Sequence, residues 1–216
     1  MPRKILQRSS IFPYHVCNKT IDGAFYPVDK KQLWQKACDL LCTLAWVYDV
    51  RAHAFVLMNN HYHLLTSTPS ENLDSGMQYF QSNFSRWLME KTTKGIYAFK
   101  SRYNWSIIRD PQHYMNVYKY IYQNPVRAGL VDRAEDYEFS TLNGKYGLSK
   151  LECPIARHDF DACIPETGDE ELEWLNLKMT TETSDKIRSG LKRSIFCPPL
   201  RNRILPKGVG RVAKGA

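Results

Sequence analysis

No stretch of this 216-residue sequence approaches the ~20 apolar residues that a membrane-spanning helix needs. The longest apolar runs, such as Ala54 to Met58, are strand-sized. Nor does any pair of its six cysteines have CxxC spacing; Cys38 and Cys42 stand one helical turn apart and the rest fall irregularly. A zinc cage or a disulfide framework therefore finds no support in the spacing. No sustained apolar stretch and no cleavage signal come after the opening Met-Pro-Arg-Lys, so a secretory leader is not expected. These absences predict a cytoplasmic protein with reduced thiols. There is no internal repeat.

Acidic residues are also missing from one place. Residues 186–216 hold 9 Lys and Arg and no Asp or Glu. Residues 151–185 show the reverse, with 2 basic against 10 acidic side chains, while residues 1–150 carry 19 basic and 12 acidic ones. The net +8 is thus a basic body at +7, an acidic stretch at −8 and a basic end at +9. An acid-free basic segment favours a polyanion, because Lys and Arg that neutralise phosphates release condensed counterions. Thirteen Tyr and 5 Trp add stacking capacity for unpaired bases. With 43% hydrophobic and 24% charged residues, the chain is globular.

Periodicity orders the elements. Pro13 to Lys19 reads as a strand, and Asp22-Gly23 as a turn. Asp29 caps a helix to about Tyr48, with Leu33, Ala37, Leu40, Leu41, Leu44 and Val47 on one stripe. Arg51 to Met58 and His61 to Ser67 form a hairpin across Asn59-Asn60, where asparagine tolerates a left-handed backbone. A second helix spans Leu73 to Lys91, and Tyr103 to Arg109 is a further strand. Asp110-Pro111 starts a third helix, which must stop near Asn124 because Pro125 disfavours helical geometry before it. Strand, helix, strand, strand, helix, strand, helix predicts an α+β fold, a ferredoxin-like antiparallel sheet with two helices packed on it. Three parts are expected: residues 1–145 as the main domain, 146–185 as an acidic connector, and 186–216 as a basic helix (Ser184 to Phe196) and tail.

Two local patterns could carry chemistry. In His61-Tyr62-His63 the histidines share one face of a strand, where two imidazoles can hold a divalent cation with an oxygen ligand from elsewhere. On the third helix, Tyr120 and Asn124 lie one turn apart, while Tyr114, Tyr118 and Tyr122 form a separate stripe. Spacing alone does not decide which stripe meets the histidines.

Met58-Asn59-Asn60-His61-Tyr62-His63-Leu64-Leu65, with Tyr120-Ile121-Tyr122-Gln123-Asn124-Pro125-Val126-Arg127-Ala128-Gly129-Leu130-Val131 downstream, resembles the REP-associated tyrosine transposases. That family belongs to the single-tyrosine branch of the HUH endonucleases. Tyr14-His15-Val16 and Arg102-Tyr103 extend the resemblance across roughly residues 10–140. It implies His61, His63 and Asn124 as ligands of Mg²⁺ or Mn²⁺, and Tyr120 as the nucleophile. It further implies cleavage and rejoining of single-stranded DNA beside short palindromic hairpins, through a 5′-phosphotyrosine intermediate. Zinc could replace the harder ions in vitro, since imidazoles are softer ligands than magnesium prefers. A domesticated protein that binds such hairpins without turnover is the alternative.

The DNA contacts expected on this reading are Lys19, Arg86, Arg102 and Arg127 in the body, then Lys192, Arg193, Arg201 and Arg203 in the basic end. Single-stranded or hairpin DNA is the expected partner, with no membrane, for a monomer or homodimer that is nucleoid-associated when bound to DNA. Because imidazole must be neutral to ligate, activity should fall below pH ~6.5. Two departures from the family pattern are Asn59, where proline is common, and Asn18-Lys19-Thr20, where an Arg-Gly pair is common.

Overall fold

The computed structural model describes residues 5–91, 99, 101–166 and 168–197. Four strands, β1 (Tyr14–Lys19), β2 (Arg51–Leu57), β3 (His61–Ser67) and β4 (Asn104–Ile107), form one antiparallel sheet. Their spatial order is β2-β3-β1-β4. Helices α1 (Lys30–Tyr48) and α2 (Leu73–Lys91) connect them in ferredoxin-like order, and α3 (Pro111–Tyr122) comes after β4. No described helix is long and apolar enough to cross a membrane.

Local chemistry sets the element ends. The Asp29 carboxylate accepts hydrogen bonds from the backbone N–H groups of Lys31 (3.0 Å) and Gln32 (3.1 Å), and Asp49 ends α1 in the left-handed region at φ 48°. Asp110 likewise accepts from the His113 N–H at 3.0 Å, with Pro111 opening α3. After Tyr122 the helix breaks at Gln123 and resumes as α4 (Asn124–Arg127), which places Pro125 in a first turn where its missing N–H costs nothing. In the β2–β3 hairpin, the Met58 N–H donates to the His61 carbonyl at 2.8 Å, but neither asparagine is left-handed. Their side chains are tethers instead. The Asn60 amide donates to the Gly23 carbonyl at 2.8 Å, and the Asn59 amide oxygen accepts from Lys30 Nζ at 2.5 Å.

The sheet is covered on both faces, where the sequence led us to expect two helices on one sheet. On one side, Tyr14, Val16, Tyr62, Leu64, Trp105 and Ile107 pack against the apolar stripes of α1 and α2. On the other, Ala54, Val56 and Leu65 pack against α3. Nearly all of α3 is buried, because a further layer lies over it: α5 (Thr141–Lys145), α6 (Gly168–Asn176) and α7 (Thr181–Gly190). This layer adds Trp174, Leu175 and Ile187 to the second core, and Phe196, beyond α7, joins it.

The acidic stretch receives two of the three tyrosines of the α3 stripe. Tyr114 donates to Asp161 at 2.7 Å, Tyr118 donates to Glu171 at 2.8 Å, and Tyr122 shares a hydrogen bond with Thr141 at 2.9 Å. Glu171 also pairs with Lys145 at 2.6 Å and accepts from Tyr146 at 2.6 Å. A buried carboxylate is tolerable only with such a set of donors. Helix α7 begins earlier and ends earlier than the basic helix expected over Ser184 to Phe196. Residues 194–196 instead run beside β4, where the Ile107 N–H donates to Ser194 (2.9 Å) and the Phe196 N–H donates to Ile107 (2.8 Å). That pairing covers the sheet edge.

His53 is the extra residue of a bulge in β2, between Ala52 and Ala54. Its Nδ1–H donates to the Ala156 carbonyl and its Nε2 accepts from the Ser67 hydroxyl, both at 2.9 Å. Burial holds its pKa down at about 4, with smaller effects from the Ala156 bond and Asp161 (upward) and from His158 and Arg51 (downward). A histidine depressed from ~6.5 in the unfolded chain contributes stability above that value, and loses it as pH falls toward 4. Between pH 7 and 5 this amounts to about 2 kcal/mol, and urea midpoints should shift accordingly. In His53→Gln the shift should shrink by that amount; an unchanged pH dependence would rule out this source.

Candidate functional site

Alternation along β3 sends Tyr62 into the α1–α2 core and sends His61 and His63 to the face under α3. Pairing with β1 places Cys17 directly opposite His63 and Lys19 opposite His61, with His15 on the same face two residues before Cys17. The His61 and His63 rings stand 5.0 Å apart, centroid to centroid. Across from them, the ring of Tyr120 meets His63 edge-on at 5.7 Å. The structure thus brings Tyr120 to His63, while the other three tyrosines of α3 are buried against Asp161, Glu171 and Thr141.

Each histidine is held by one nitrogen. His61 Nδ1 lies 2.6 Å from Asn60 Oδ1, and since that oxygen can only accept, Nδ1 carries the hydrogen and Nε2 keeps its lone pair. His63 Nδ1 lies 2.9 Å from His15 Nε2. Burial pushes His61 down to about 4, aided by the charges of Lys19 and Lys30. Burial also holds His63 well below the usual histidine value, with His61, His15 and Arg127 adding to the effect. Both imidazoles are therefore neutral at pH 7. The acid limit that ordinary histidines would set near pH ~6.5 accordingly moves lower.

Asn124, buried at the start of α4, donates its amide N–H to the carbonyls of Tyr120 (2.8 Å) and Ile121 (3.3 Å). With the nitrogen used this way, the amide oxygen is left as an acceptor. Two neutral imidazoles and one amide oxygen are a donor set that fits a divalent ion with open positions. A second set overlaps it: ligand atoms of His15, Cys17 and His63 lie within 4.8 Å of one another and could also hold a divalent cation.

The guanidinium of Arg127 lies over the Tyr120 ring, 5.0 Å from its centroid. Burial raises the Tyr120 pKa; Arg127, by charge and hydrogen bond, opposes the rise, as does the charge of Arg188 on α7. The phenol is neutral at rest, beside two cations that favour its ionised form.

The other expected DNA contacts are spread over the molecule. Lys19 is exposed at the end of β1, beside His61. Arg102 is exposed two residues before Asn104, the partner of Cys17, toward the same sheet end as Lys19. Arg86 is exposed on α2, in the layer across the sheet from the histidines. Lys192 and Arg193 are exposed just after α7, where Arg193 Nη1 donates to the Cys197 carbonyl at 3.2 Å. Arg201 and Arg203 lie outside the described residues.

Sequence reasoning missed the parts that His15, Cys17 and Arg188 take here. For the first two the signal was present, a His-x-Cys alternation on the opening strand; placing Arg188 required the packing of α7 on α3.

No family model matches the chain, and no curated protein matches it. Among solved structures it is similar to a REP-associated tyrosine transposase bound to a REP hairpin. The TM-score is 0.53 at 20% identity, over 75% of this chain and 95% of that one. It is also matched to a bacterial tRNA(His) guanylyltransferase-like protein in complex with GTP, with a TM-score of 0.37 at 13% identity, over 55% of this chain and 64% of that one. The first likeness shows a shared fold: an open, four-stranded antiparallel sheet with helices packed on it, extended here by further helices.

Proposed function

We infer that this chain is a metal-dependent, single-tyrosine DNA nuclease and strand transferase acting on single-stranded or hairpin DNA beside short palindromic repeats. The observation that carries this reading is the meeting of Tyr120 with His63 on the sheet face that holds both His61 and His63. The fold shared with a transposase bound to a REP hairpin supports it, as do the motifs around these residues.

In the proposed reaction, the Tyr120 oxygen attacks the scissile phosphorus, loses its proton, and forms a 5′-phosphotyrosine bond as the bond to the 3′ oxygen breaks. That 3′ oxygen takes up a proton and leaves as a hydroxyl. A later 3′-hydroxyl can reverse the attack, so rejoining needs no nucleotide cofactor. Arg127 stabilises the phenolate as it forms, both when attacking and when leaving. His61, His63 and Asn124 would hold Mg²⁺ or Mn²⁺, which when bound neutralises charge on the phosphate oxygens. Lys19 and Arg102, at the same sheet end, suit the phosphates of the bound strand, and Lys192 and Arg193 suit those farther along.

A hairpin oligonucleotide with single-stranded flanks, taken from the repeats that border the gene, tests this reading. With Mn²⁺ or Mg²⁺, the protein should become covalently attached to the fragment that lies 3′ of the cut, and EDTA should prevent attachment. Tight hairpin binding with no cleavage in either metal would overturn the catalytic reading and leave a binding protein.

A further inference from the structure

The histidine face holds a cluster of which the proposed cleavage uses only His63. His15 and Cys17 stand two residues apart on β1, and Cys17 is paired directly with His63 on β3. Neighbouring strands of one sheet fix all three residues, so the cluster is rigid. His15 and His63 are buried, whereas Cys17 is partly exposed, which gives an ion a way in. The donors are two imidazoles and a thiol, a set that selects thiophilic ions over magnesium or manganese.

We propose that His15, Cys17 and His63 form a site for a thiophilic divalent ion such as Zn²⁺, and that its occupation excludes an ion from the neighbouring His61–His63–Asn124 site.

The distances allow it. Two nitrogens on one tetrahedral zinc ion sit ~3.4 Å apart, given Zn–N bonds of ~2.0–2.1 Å. His15 Nε2 and His63 Nδ1 are now 2.9 Å apart, so the pair must open by only about half an ångström. The thiol, within 4.8 Å of one ring nitrogen of each histidine, must close to ~3.6 Å, a shift within reach of a side-chain torsion. The S–H bond breaks as the sulfur–metal bond forms, and the proton goes to solvent.

Exclusion arises from the single lone pair of a neutral imidazole. When His63 Nδ1 carries the hydrogen and donates to His15, Nε2 is the ligating nitrogen and serves His61 and Asn124. When Nδ1 binds an ion shared with His15 and Cys17, Nε2 must carry the hydrogen, and its lone pair is gone. One ring therefore serves one ion at a time. The exclusion half rests on the proposed cleavage site; the thiolate site stands apart from it.

The full-length protein titrated with Co²⁺ tests the thiolate site first. One equivalent should give a tetrahedral visible spectrum and a near-ultraviolet thiolate-to-cobalt charge-transfer band. Cys17→Ser should abolish that band and weaken cobalt binding more than ~10-fold, while His61→Ala should keep the band. A spectrum without a thiolate band, or a band that survives Cys17→Ser, overturns the proposal. Circular dichroism of Cys17→Ser guards against misfolding, and His15→Gln provides a second variant that must also lose affinity.

Exclusion is then read from Mn²⁺ bound to the protein by electron paramagnetic resonance. One equivalent of Zn²⁺ should release the manganese from wild type, whereas Cys17→Ser, in which zinc can act only by replacing manganese in its own site, should need ~10-fold more zinc. Co-occupation by both ions overturns the exclusion. If no manganese binds at all, the cleavage site is what fails, and the cobalt band still decides the thiolate site.

Discussion

Tyr120→Phe is expected to reduce covalent attachment to DNA by at least ~10³-fold while leaving hairpin affinity within a few-fold of wild type. The substitution removes one oxygen and keeps the ring, so the edge-on contact with His63 and the stacking of Arg127 both survive. It gives up the hydrogen bond to Arg127, worth about 1 kcal/mol at a partly solvated site. The other tyrosines of α3 serve as controls with the opposite outcome. Tyr114→Phe, Tyr118→Phe and Tyr122→Phe each remove a phenol that bonds Asp161, Glu171 or Thr141, on the far side of the helix from the histidines. Each should lower thermal stability and retain the adduct. An adduct that persists in Tyr120→Phe and disappears in Tyr118→Phe would mean that the nucleophile belongs to the other stripe.

His63→Ala is expected to cost at least ~100-fold in cleavage, with His61→Ala close behind and Asn124→Ala near ~10-fold. The geometry sets this order. His63 touches the His61 and Tyr120 rings and bonds His15, so its removal disturbs every part of the site. His61 contacts His63 and is oriented by Asn60. In the proposed site Asn124 would contribute one neutral oxygen, and its loss also removes a side-chain donor from the Tyr120 and Ile121 carbonyls at the end of α3. Manganese binding should weaken in the same order. Robust cleavage by His63→Ala, or by wild type in excess EDTA, would rule out a role for the metal in cleavage.

The half of the fold built from α1, α2 and the four strands was legible because its signals are local. Leu33 to Leu44 and Leu73 to Leu88 mark their helical faces at fixed spacing, although Val47, expected on the first stripe, is 70% exposed; Asp29 caps the helix that starts beside it, and His61-Tyr62-His63 alternates as a strand must. The layer over α3 was not legible, since its packing joins residues ~50 positions apart. Within the acidic connector expected over residues 146–185, Glu171 and Asp161 are acceptors for buried phenols, a pairing that composition does not reveal. The bulge at His53 was hidden for a similar reason: one extra residue leaves no mark in an apolar run. At the site, His61 and His63 shared a face by spacing alone, and Tyr120 was singled out by resemblance. That Cys17 lies opposite His63 depends on strand register, which the sequence pattern leaves open.

Whether Tyr120 makes the covalent bond to DNA can be read from the adduct itself. Protein incubated with the hairpin oligonucleotide and Mn²⁺ can be digested with nuclease and trypsin, and the peptide that retains a nucleotide sequenced by mass spectrometry. One modified residue is expected, Tyr120, carrying the nucleotide through its 5′ phosphate. A nucleotide on Tyr114, Tyr118 or Tyr122, or one attached through a 3′ phosphate, would contradict the proposed mechanism.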